Sequence, residues 1–200
     1  MARSAAHSIA KDDHGTPPPF RKLGRDTLGV IDLDPASSPK WNAAIGAKRI
    51  ITREQDARVT PWFDGAPAPH RLQTEPRRAP EGHRATVQLN PPGNKDGSLV
   101  ADLYCALTRY FELGWVTHAM YIGFNVEQAS RLQRVGAPFG PLAFPTLVPP
   151  YRENYEDEPG RLQEDAPHAS FVTLFSRDPI VVGRFIAFAS AIGDVVRRIV

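Results

Sequence analysis

A short apolar run that ends in two prolines constrains this chain more than any other feature. Val87 to Leu89 favour β-structure, and they lead directly into Asn90-Pro91-Pro92. Proline has no backbone N–H to donate to a neighbouring strand, so a strand must end where the prolines begin. Each proline also holds the residue before it in an extended conformation. The pattern predicts a buried strand and then a stiff loop that presents Asn90 at the carboxyl edge of a sheet, where open α/β folds bind ligands.

This loop offers a ligand two fixed hydrogen-bond acceptors, the Asn90 side-chain oxygen and the Pro91 carbonyl. Together they can hold an amine so that its nitrogen lone pair is free to attack a methyl sulfonium. Asn-Pro-Pro is also the core of the catalytic motif of amino-methyltransferases, which act on nitrogens of adenine, cytosine or glutamine. The alternative is a plain exit from a strand into a loop, since a Pro-Pro pair is not rare in a chain with 20 prolines. The tripeptide alone does not decide between the two.

Length and composition indicate one globular domain. A chain of 200 residues is long enough for a substantial core, and contents of 42% hydrophobic and 23% charged residues are ordinary. The net charge of +2 gives no overall basic surface for nucleic acid, although a local basic patch can still supply one. We expect residues 1–14, which lack the apolar segment of a signal peptide, to be a flexible tail ahead of a single domain over residues 15–200.

Several classes of site are disfavoured. The single cysteine, Cys105, excludes an internal disulfide and fits a reducing cytosol, and its apolar helical surroundings indicate core packing. No apolar run approaches the ~20 residues that span a bilayer. The six histidines show no spacing typical of metal ligands. Phosphate-binding glycine loops and the Gly-x-Ser-x-Gly motif are absent. The expectation is a cytoplasmic protein with no metal and no membrane attachment.

A second candidate loop lies nearer the start of the chain. Leu28 to Leu33 is predicted to be a buried strand from its β-branched content. Asp34-Pro35-Ala36 follows, and then Ser37 or Ser38 as the N-cap of a helix with Pro39 in its first turn. A strand that leads into an acidic, small-residue loop suits an adenosyl cofactor. A carboxylate there can bind the ribose hydroxyls or the ammonium of S-adenosylmethionine.

A further carboxylate follows the next predicted strand. Ala47 to Thr52 has the pattern of a second strand, and Asp56 comes shortly after it. A carboxylate at the end of a neighbouring strand could accept a hydrogen bond from the cofactor's adenine amine. The alternative is that Asp56 starts a helix.

Taken together, these segments resemble one family. Their order is similar to that of the phage-type DNA N6-adenine methyltransferases, the Dam-like family carried by phages and prophages, and the resemblance spans most of residues 15–176. The segments that carry it are Thr16-Pro17, Asp32-Leu-Asp-Pro-Ala-Ser37, Ile51-Thr52, Asp56, Trp62, Leu89-Asn-Pro-Pro92, Tyr121-Ile-Gly-Phe-Asn125, Glu127-Gln128 and Leu142-Ala-Phe-Pro145.

The resemblance implies a set of site residues. It gives catalysis to Asn90, Pro91 and Pro92 and cofactor binding to Thr16, Asp34, Pro35 and Asp56, and we add the adjacent Pro17 and Ala36 as cofactor candidates. The substrate candidates Gly93, Phe124 and Asn125 come instead from their positions directly after the Asn-Pro-Pro motif and at the end of the next predicted strand. Gly93 is a departure, because the family usually has an aromatic residue there that stacks on the flipped base. Phe124 could replace that aromatic, and the alternative is a core phenylalanine.

A second departure is a long proline-rich and arginine-rich insertion near residues 64–84. It carries Arg71, Arg77, Arg78 and Arg84. One interpretation is a basic flap that contacts phosphates, the interaction that dominates affinity for DNA. The other, which we prefer because linkers with a few arginines are common, is an exposed linker.

The remaining elements follow from periodicity and from helix start and stop signals. Residues 151–168 hold six carboxylates and two arginines, a net charge of −4 that would repel a DNA backbone. We therefore expect this segment to lie away from the duplex or to be mobile. The other predictions are a helix from Asp96 or Ser98 to just before Gly114, strands at Trp115–Phe124, Leu142–Val148 and Ala169–Phe175, and helices at Val126–Val135 and Ile180–Val200.

These elements combine into an α/β prediction, a three-layer class I S-adenosylmethionine-dependent methyltransferase (Rossmann-like) fold with a mostly parallel sheet. The expected activity is methyl transfer to adenine N6 in DNA. Sequence specificity should be short or relaxed, because little chain is left for a separate recognition domain. One alternative is a catalytically silent DNA-binding protein that lost its base clamp at Gly93. The other is an amino-methyltransferase acting on RNA or protein glutamine. The expected compartment is the cytoplasm of a bacterial host or phage-infected cell, and the oligomeric state is left open.

Overall fold

A seven-stranded sheet organises the part of the chain that the computed structural model describes, residues 15–93, 97–123, 125, 127–162 and 169–197. The predicted tail at 1–14 lies outside these residues. The strands are β1 Leu33–Asp34, β2 Arg49–Ile50, β3 Thr86–Leu89, β4 His118–Gly123, β5 Thr146–Val148, β6 Glu156–Glu158, β7 Arg161–Leu162, β8 Phe171–Ser176 and β9 Asp194–Val196. β6 and β7 form a separate antiparallel hairpin.

The order across the large sheet is β2-β1-β3-β4-β8-β5-β9. β2, β1, β3 and β4 are parallel, with Leu33 opposite Val87 and Leu89 opposite Tyr121. β8 runs antiparallel between β4 and β5, and β9 runs antiparallel at the β5 edge. The carboxyl ends of β1 to β4 therefore meet along one edge of the sheet.

Helices cover both faces of the sheet. They are α1 Pro18–Leu28, α2 Pro39–Ile45, α3 Ser98–Glu112, α4 Glu127–Val135 and α5 Pro179–Ala189. Alternate residues of β4 face opposite sides, as expected for a pleated strand. Met120 and Ile122 pack with side chains of α1 and α5, whereas Ala119 and Tyr121 pack in the cluster that includes α3. The predicted α/β architecture, with a mostly parallel sheet flanked by helices, is confirmed at this level.

Several predicted elements are found where the sequence indicated. The strand before Asn90, the helix that begins at Ser98 and the helix before Gly136 are present, and Ser38 caps α2 by accepting a hydrogen bond from the Trp41 amide at 3.5 Å. The predicted strand at Leu28–Leu33 is wrong in its extent. α1 continues to Leu28, and Gly29 ends it at a φ of 72° with its N–H bonded to the Arg25 carbonyl. Only Leu33 remains of the predicted strand, which continues through Asp34.

The prediction of one helix over Ile180–Val200 is also wrong. α5 ends at Ala189, and the chain turns back to pair β9 with β5. Gly193 permits this return, because a Cβ there would lie 2.7 Å from the Val148 carbonyl oxygen. The apolar residues after the turn have the β-branched character of a strand, Val195 and Val196.

The insertion near residues 64–84 is largely exposed, as expected of a linker, but the structure also anchors it to the core at several points. Leu72 is buried, and so is the preceding Trp62. The Tyr110 hydroxyl donates to the Pro67 carbonyl at 2.6 Å, and the Trp115 indole donates to the Arg77 carbonyl at 2.7 Å. The four arginines remain exposed on this anchored segment. Within the described residues, no helix is both long and apolar enough to cross a bilayer.

Candidate functional site

The site lies where the direction of strand succession reverses. From β1 the chain moves outward to β2 and then returns to add β3 on the other side of β1. Such a switch point leaves a crevice outside the carboxyl ends of the two strands, which is where open α/β sheets bind ligands. Asp34 ends β1, and Asn90 directly follows β3. The fold thus brings the two principal predicted residues to neighbouring strand ends.

Asp34 is a carboxylate almost fully removed from solvent, with 1% of its surface exposed. Burial raises its pKa from 3.8 to about 7, although hydrogen bonds from the Ala36 N–H and the Ser37 side chain lower it. The Ala36 amide donates to Asp34 Oδ1 at 3.0 Å, and Pro35 and Ala36 form the turn that makes this bond. Among the described residues, no salt bridge includes Asp34. The site therefore contains a buried acidic group without a protein cation.

The loop around Asp34 is held by its neighbour β2. The Ile51 amide donates to the Asp34 carbonyl at 3.0 Å, and the Ser37 amide donates to the Ile51 carbonyl at 3.3 Å. These bonds continue the parallel pairing of β1 with β2 one step beyond the strands. The turn that carries Asp34, Pro35 and Ala36 is thus fixed to the sheet.

Asn90 is joined to the beginning of the described chain. Its side-chain nitrogen donates to the Thr16 hydroxyl at 3.1 Å, and Thr16 is buried. Pro17 then leads into α1, which begins at Pro18. This bond directs the amide nitrogen to Thr16 and leaves the amide oxygen for a second partner. Thr16 and Asn90 lie 74 residues apart in sequence, and the structure brings them together.

The proline loop after Asn90 is only partly open to solvent. Pro91 is buried, whereas Asn90, Pro92 and Gly93 are half-buried. Asn90 has little freedom to move, because the ring of the buried Pro91 fixes its own backbone and restricts the conformation of the residue before it. The geometry suits a polar group that must be held still.

The other predicted residues have separate roles in the structure. Asp56 follows β2 with a φ of 51°, and its carboxylate is bound by Arg58 through contacts of 2.8 to 3.2 Å. The Arg58 side chain lowers the pKa of Asp56. Asn125 follows β4 and accepts a hydrogen bond from the Glu127 amide at 2.9 Å, which starts α4. Among the described residues, no hydrogen bond or ion pair joins Asp56 to Asp34 or Asn90. Phe124 lies outside the described residues.

The described part of the acidic segment borders this site through Glu156. The Gly15 amide donates to the Glu156 carbonyl at 2.8 Å, one residue from Thr16. The Arg21 guanidinium binds both carboxylate oxygens of Glu156, at 2.6 and 3.1 Å. The pairing with Arg21 lowers the pKa of Glu156. Part of the negative charge of this segment is therefore neutralised inside the fold, which the count of charges in the sequence does not reveal.

Two buried polar residues near the same edge were not predicted. Tyr121 is fully buried and Glu153 is 8% exposed, and each has a side-chain oxygen with no hydrogen-bond partner in the described structure. Tyr121 belongs to a segment that carried the family resemblance, but nothing in the sequence distinguishes it from a core tyrosine. Nothing in the sequence distinguishes Glu153 from the other carboxylates of its segment. In the described ranges, no group of His, Cys, Asp or Glu is arranged to hold a metal ion.

Comparison of the chain with protein-family models, with curated proteins and with solved structures finds no match in any of the three.

Proposed function

We propose that this protein is an amino-methyltransferase that uses S-adenosylmethionine to methylate adenine N6 in DNA. The observation that carries the proposal is the meeting of Asp34 and Asn90 at the carboxyl ends of adjacent strands, at the switch point of the sheet. The fold class supports it, since the methyltransferases that the sequence resembles share a Rossmann-like α/β architecture. The resemblance of the ordered segments between Thr16 and Pro145 supplies the identity of the cofactor and of the target atom.

The cofactor side of the site is chemically suited to an adenosyl amino acid. Asp34 is a buried acceptor with no cationic partner among the described residues, so the ribose hydroxyls or the ammonium of the cofactor would satisfy it. A ligand that favours the ionised carboxylate would also reverse the rise in its pKa. The turn at Pro35 and Ala36 and the lead-in at Thr16 and Pro17 flank the same crevice. When bound there, S-adenosylmethionine supplies an electrophilic methyl group.

The amine side of the site belongs to Asn90 and Pro91. The Asn90 oxygen and the Pro91 carbonyl accept the two hydrogens of the amine, so the lone pair of its nitrogen points toward the methyl group. The new N–C bond forms as the S–C bond breaks, and the amine then releases a proton to solvent. Thr16 holds the asparagine in one orientation through its 3.1 Å bond. Preorganised polar groups of this kind lower the barrier because they need no rearrangement during the reaction.

DNA as the substrate requires the adenine to leave the base stack. Its amine is hidden in a duplex, so the enzyme extrudes the base or takes single-stranded DNA. The exposed arginines of the anchored segment, including Arg71 and Arg78, are suited to contact phosphates. Gly93 has no ring to stack on the extruded base. This absence favours the second candidate function, a catalytically silent protein that binds DNA with the same fold.

Transfer of a labelled methyl group distinguishes the candidates. The protein is incubated with methyl-labelled S-adenosylmethionine and unmethylated DNA, and the DNA is digested to nucleosides. Label in N6-methyladenine is the expected result, and cofactor binding is measured separately by calorimetry. Label on cytosine, on RNA alone or on protein would reject adenine as the target. Cofactor or DNA binding without transfer would favour the silent protein.

A further inference from the structure

Six buried side-chain atoms of the described residues lack a hydrogen-bond partner, on Thr27, Gln88 (two atoms), Tyr121, Gln128 and Glu153. Two of them, the hydroxyl of Tyr121 and Oε1 of Glu153, belong to segments that reach the carboxyl edge of the sheet beside Asn90. Tyr121 is completely buried, and only 8% of the Glu153 surface is exposed. Buried polar atoms are nearly always hydrogen-bonded, because leaving one without a partner is costly. Beside a candidate binding site, a ligand is one source of such missing partners.

The chain around Glu153 crosses the edge of the sheet at the Asn90 site. Glu156 pairs with Gly15, which precedes the Thr16 that binds Asn90. The Tyr155 hydroxyl hydrogen-bonds to the Ser170 hydroxyl at 3.1 Å. Ser170 directly precedes Phe171, which pairs with Gly123 at the carboxyl end of β4. The segment from Glu153 to Glu156 therefore extends from the end of β4 to the lead-in beside Asn90.

Tyr121 approaches the same place from within the sheet. It pairs in register with Leu89, the residue before Asn90. Its ring packs edge-on against Tyr104 at 4.9 Å between centroids and also contacts Phe171 at 5.9 Å. These contacts fix the ring and leave the hydroxyl as its one polar atom.

We propose that Tyr121 and Glu153 form a subsite that donates hydrogen bonds to ring nitrogens of the target base while Asn90 holds its amine. The inference rests on the proposed function, and it specifies the kind of ring that fits. A phenol and a protonated carboxyl are both donors. The subsite suits a heteroaromatic ring with an acceptor nitrogen beside the exocyclic amine, as adenine has at N1. A ring with an N–H at that position, such as guanine, would place its own donor against the donors of the subsite.

The electrostatics of the subsite agree with this donor role. Burial raises the pKa of Glu153, which favours its protonated form. Burial, with a smaller contribution from Tyr155, raises the pKa of Tyr121 and keeps the phenol protonated. To act as a donor, Glu153 must bind the base in its protonated form.

The test pairs protein variants with substrates that lack one ring nitrogen. Short single-stranded oligonucleotides of random sequence are made with adenine, with 1-deazaadenine or with 7-deazaadenine, so that no recognition sequence has to be known. Methyl transfer (kcat/KM) is measured, together with equilibrium binding in the presence of S-adenosylhomocysteine. The variants are Tyr121→Phe, Glu153→Ala and Glu153→Gln, which keeps a donor. Tyr110→Phe is the control, because the Tyr110 hydroxyl is already bonded to Pro67 and lies in the core beside Trp62.

Wild-type protein should prefer adenine over at least one deaza base by about tenfold, the effect of one hydrogen bond to a buried donor. Tyr121→Phe or Glu153→Ala should lose that preference, whereas Glu153→Gln and Tyr110→Phe should keep it. Tyr121→Phe should also melt no lower than wild type, since it removes only an unpartnered hydroxyl, and Tyr110→Phe should melt lower.

Failure of the subsite is distinguishable from failure of the proposed function. If wild type methylates adenine but the variants discriminate between the bases as wild type does, the subsite is overturned and the methyltransferase assignment stands. If wild type binds S-adenosylhomocysteine but neither binds nor methylates any of the oligonucleotides, DNA as the substrate is overturned, and the subsite with it.

Discussion

At the scale of single residues, the proposed methyl transfer depends most on Asn90. In the proposed mechanism, Asn90→Ala removes an acceptor for the amine, so turnover should fall on the order of 100-fold, the typical loss of one preorganised polar group. Affinity for S-adenosylmethionine should change little, because Asp34 and its turn remain. Steady-state kinetics on DNA, with calorimetry of cofactor binding, measure both quantities.

Thr16→Val is the informative companion to this variant. This variant keeps the side-chain amide of Asn90 but removes the Thr16 hydroxyl that accepts the 3.1 Å hydrogen bond from it. Turnover should fall by less than in Asn90→Ala, because the acceptor is still present but less well oriented. Equal turnover in wild type and Asn90→Ala would reject the proposed mechanism.

Asp34 makes the stability of the ligand-free protein depend on pH. In the folded protein its pKa is about 7 instead of 3.8, so between these values the folded state holds a proton that the unfolded chain has released. The free energy of unfolding should therefore decrease as the pH rises through this range, by about 1.4 kcal/mol per pH unit. Asp34→Asn should remove this contribution to the slope while keeping an acceptor for the Ala36 amide. Urea unfolding at a series of pH values measures the slope.

Cofactor binding should show the opposite pH dependence. A ligand cation or hydroxyl favours ionised Asp34, so affinity should rise with pH until about 7 and then level off. Asp56→Asn is the matched control for both measurements, because Arg58 lowers the pKa of Asp56 and the slope should persist without it. An unchanged slope in Asp34→Asn would show that this carboxyl does not titrate as described.

At the scale of elements, a buried ion pair between Arg21 and Glu156 joins the β6–β7 hairpin to α1. The side chains of Arg21 and Glu156 are only 12% and 4% exposed. Arg21→Ala leaves Glu156 buried without its partner, which should cost about 3 kcal/mol of unfolding free energy. Chemical denaturation measures the loss. Because the pair lowers the pKa of Glu156, its stabilisation is present above the ordinary value of 4.5 and is lost as the pH falls.

The hairpin itself contains a suitable control. Arg161 and Asp157 also form a two-point contact, but their side chains are 69% and 35% exposed. Arg161→Ala should change stability little, since exposed pairs contribute little. Equal effects of the two arginine variants would contradict the view that burial makes the Arg21 pair important.

Gly193 offers a second test, because a helix and a strand return predict changes of opposite sign in stability when it is replaced by alanine. Gly193→Ala would stabilise a continuous helix, because alanine favours helices over glycine. In the strand return that is observed, the new Cβ meets the Val148 carbonyl at 2.7 Å, so the variant should lose about 1–3 kcal/mol. Gly183→Ala in α5 has open space around its Cβ and should gain up to about 1 kcal/mol. Thermal unfolding of both variants measures these changes. A gain in stability for Gly193→Ala would contradict the strand return.

At the scale of the whole molecule, the sequence predicted the class of fold and the two strand ends that face each other. The two prolines after Asn90 predicted that it ends a strand, and the N-cap serine predicted that Asp34 lies just before α2. Both signals are local in the sequence. Helix and strand boundaries were less predictable where one apolar run serves two elements. Leu28 packs as the end of α1, and the turn after Ala189 depends on space near Val148.

The contacts that complete the site could not be predicted, because they join distant parts of the chain. Thr16 meets Asn90 across 74 residues and Arg21 meets Glu156 across 135. Neither pair has a local pattern that sets it apart from surface residues. Glu153 and Tyr121 stand out only once their burial is known.

In the proposed function, Asn90 at the switch point holds an adenine amine for methylation. Mass spectrometry of nucleosides tests it in DNA from cells that express either the wild-type protein or Asn90→Ala, in a host without other adenine methylation. We predict N6-methyladenine in the first DNA and a large loss of it in the second at equal protein level. The absence of N6-methyladenine from the wild-type sample, or equal amounts in both, would contradict the account.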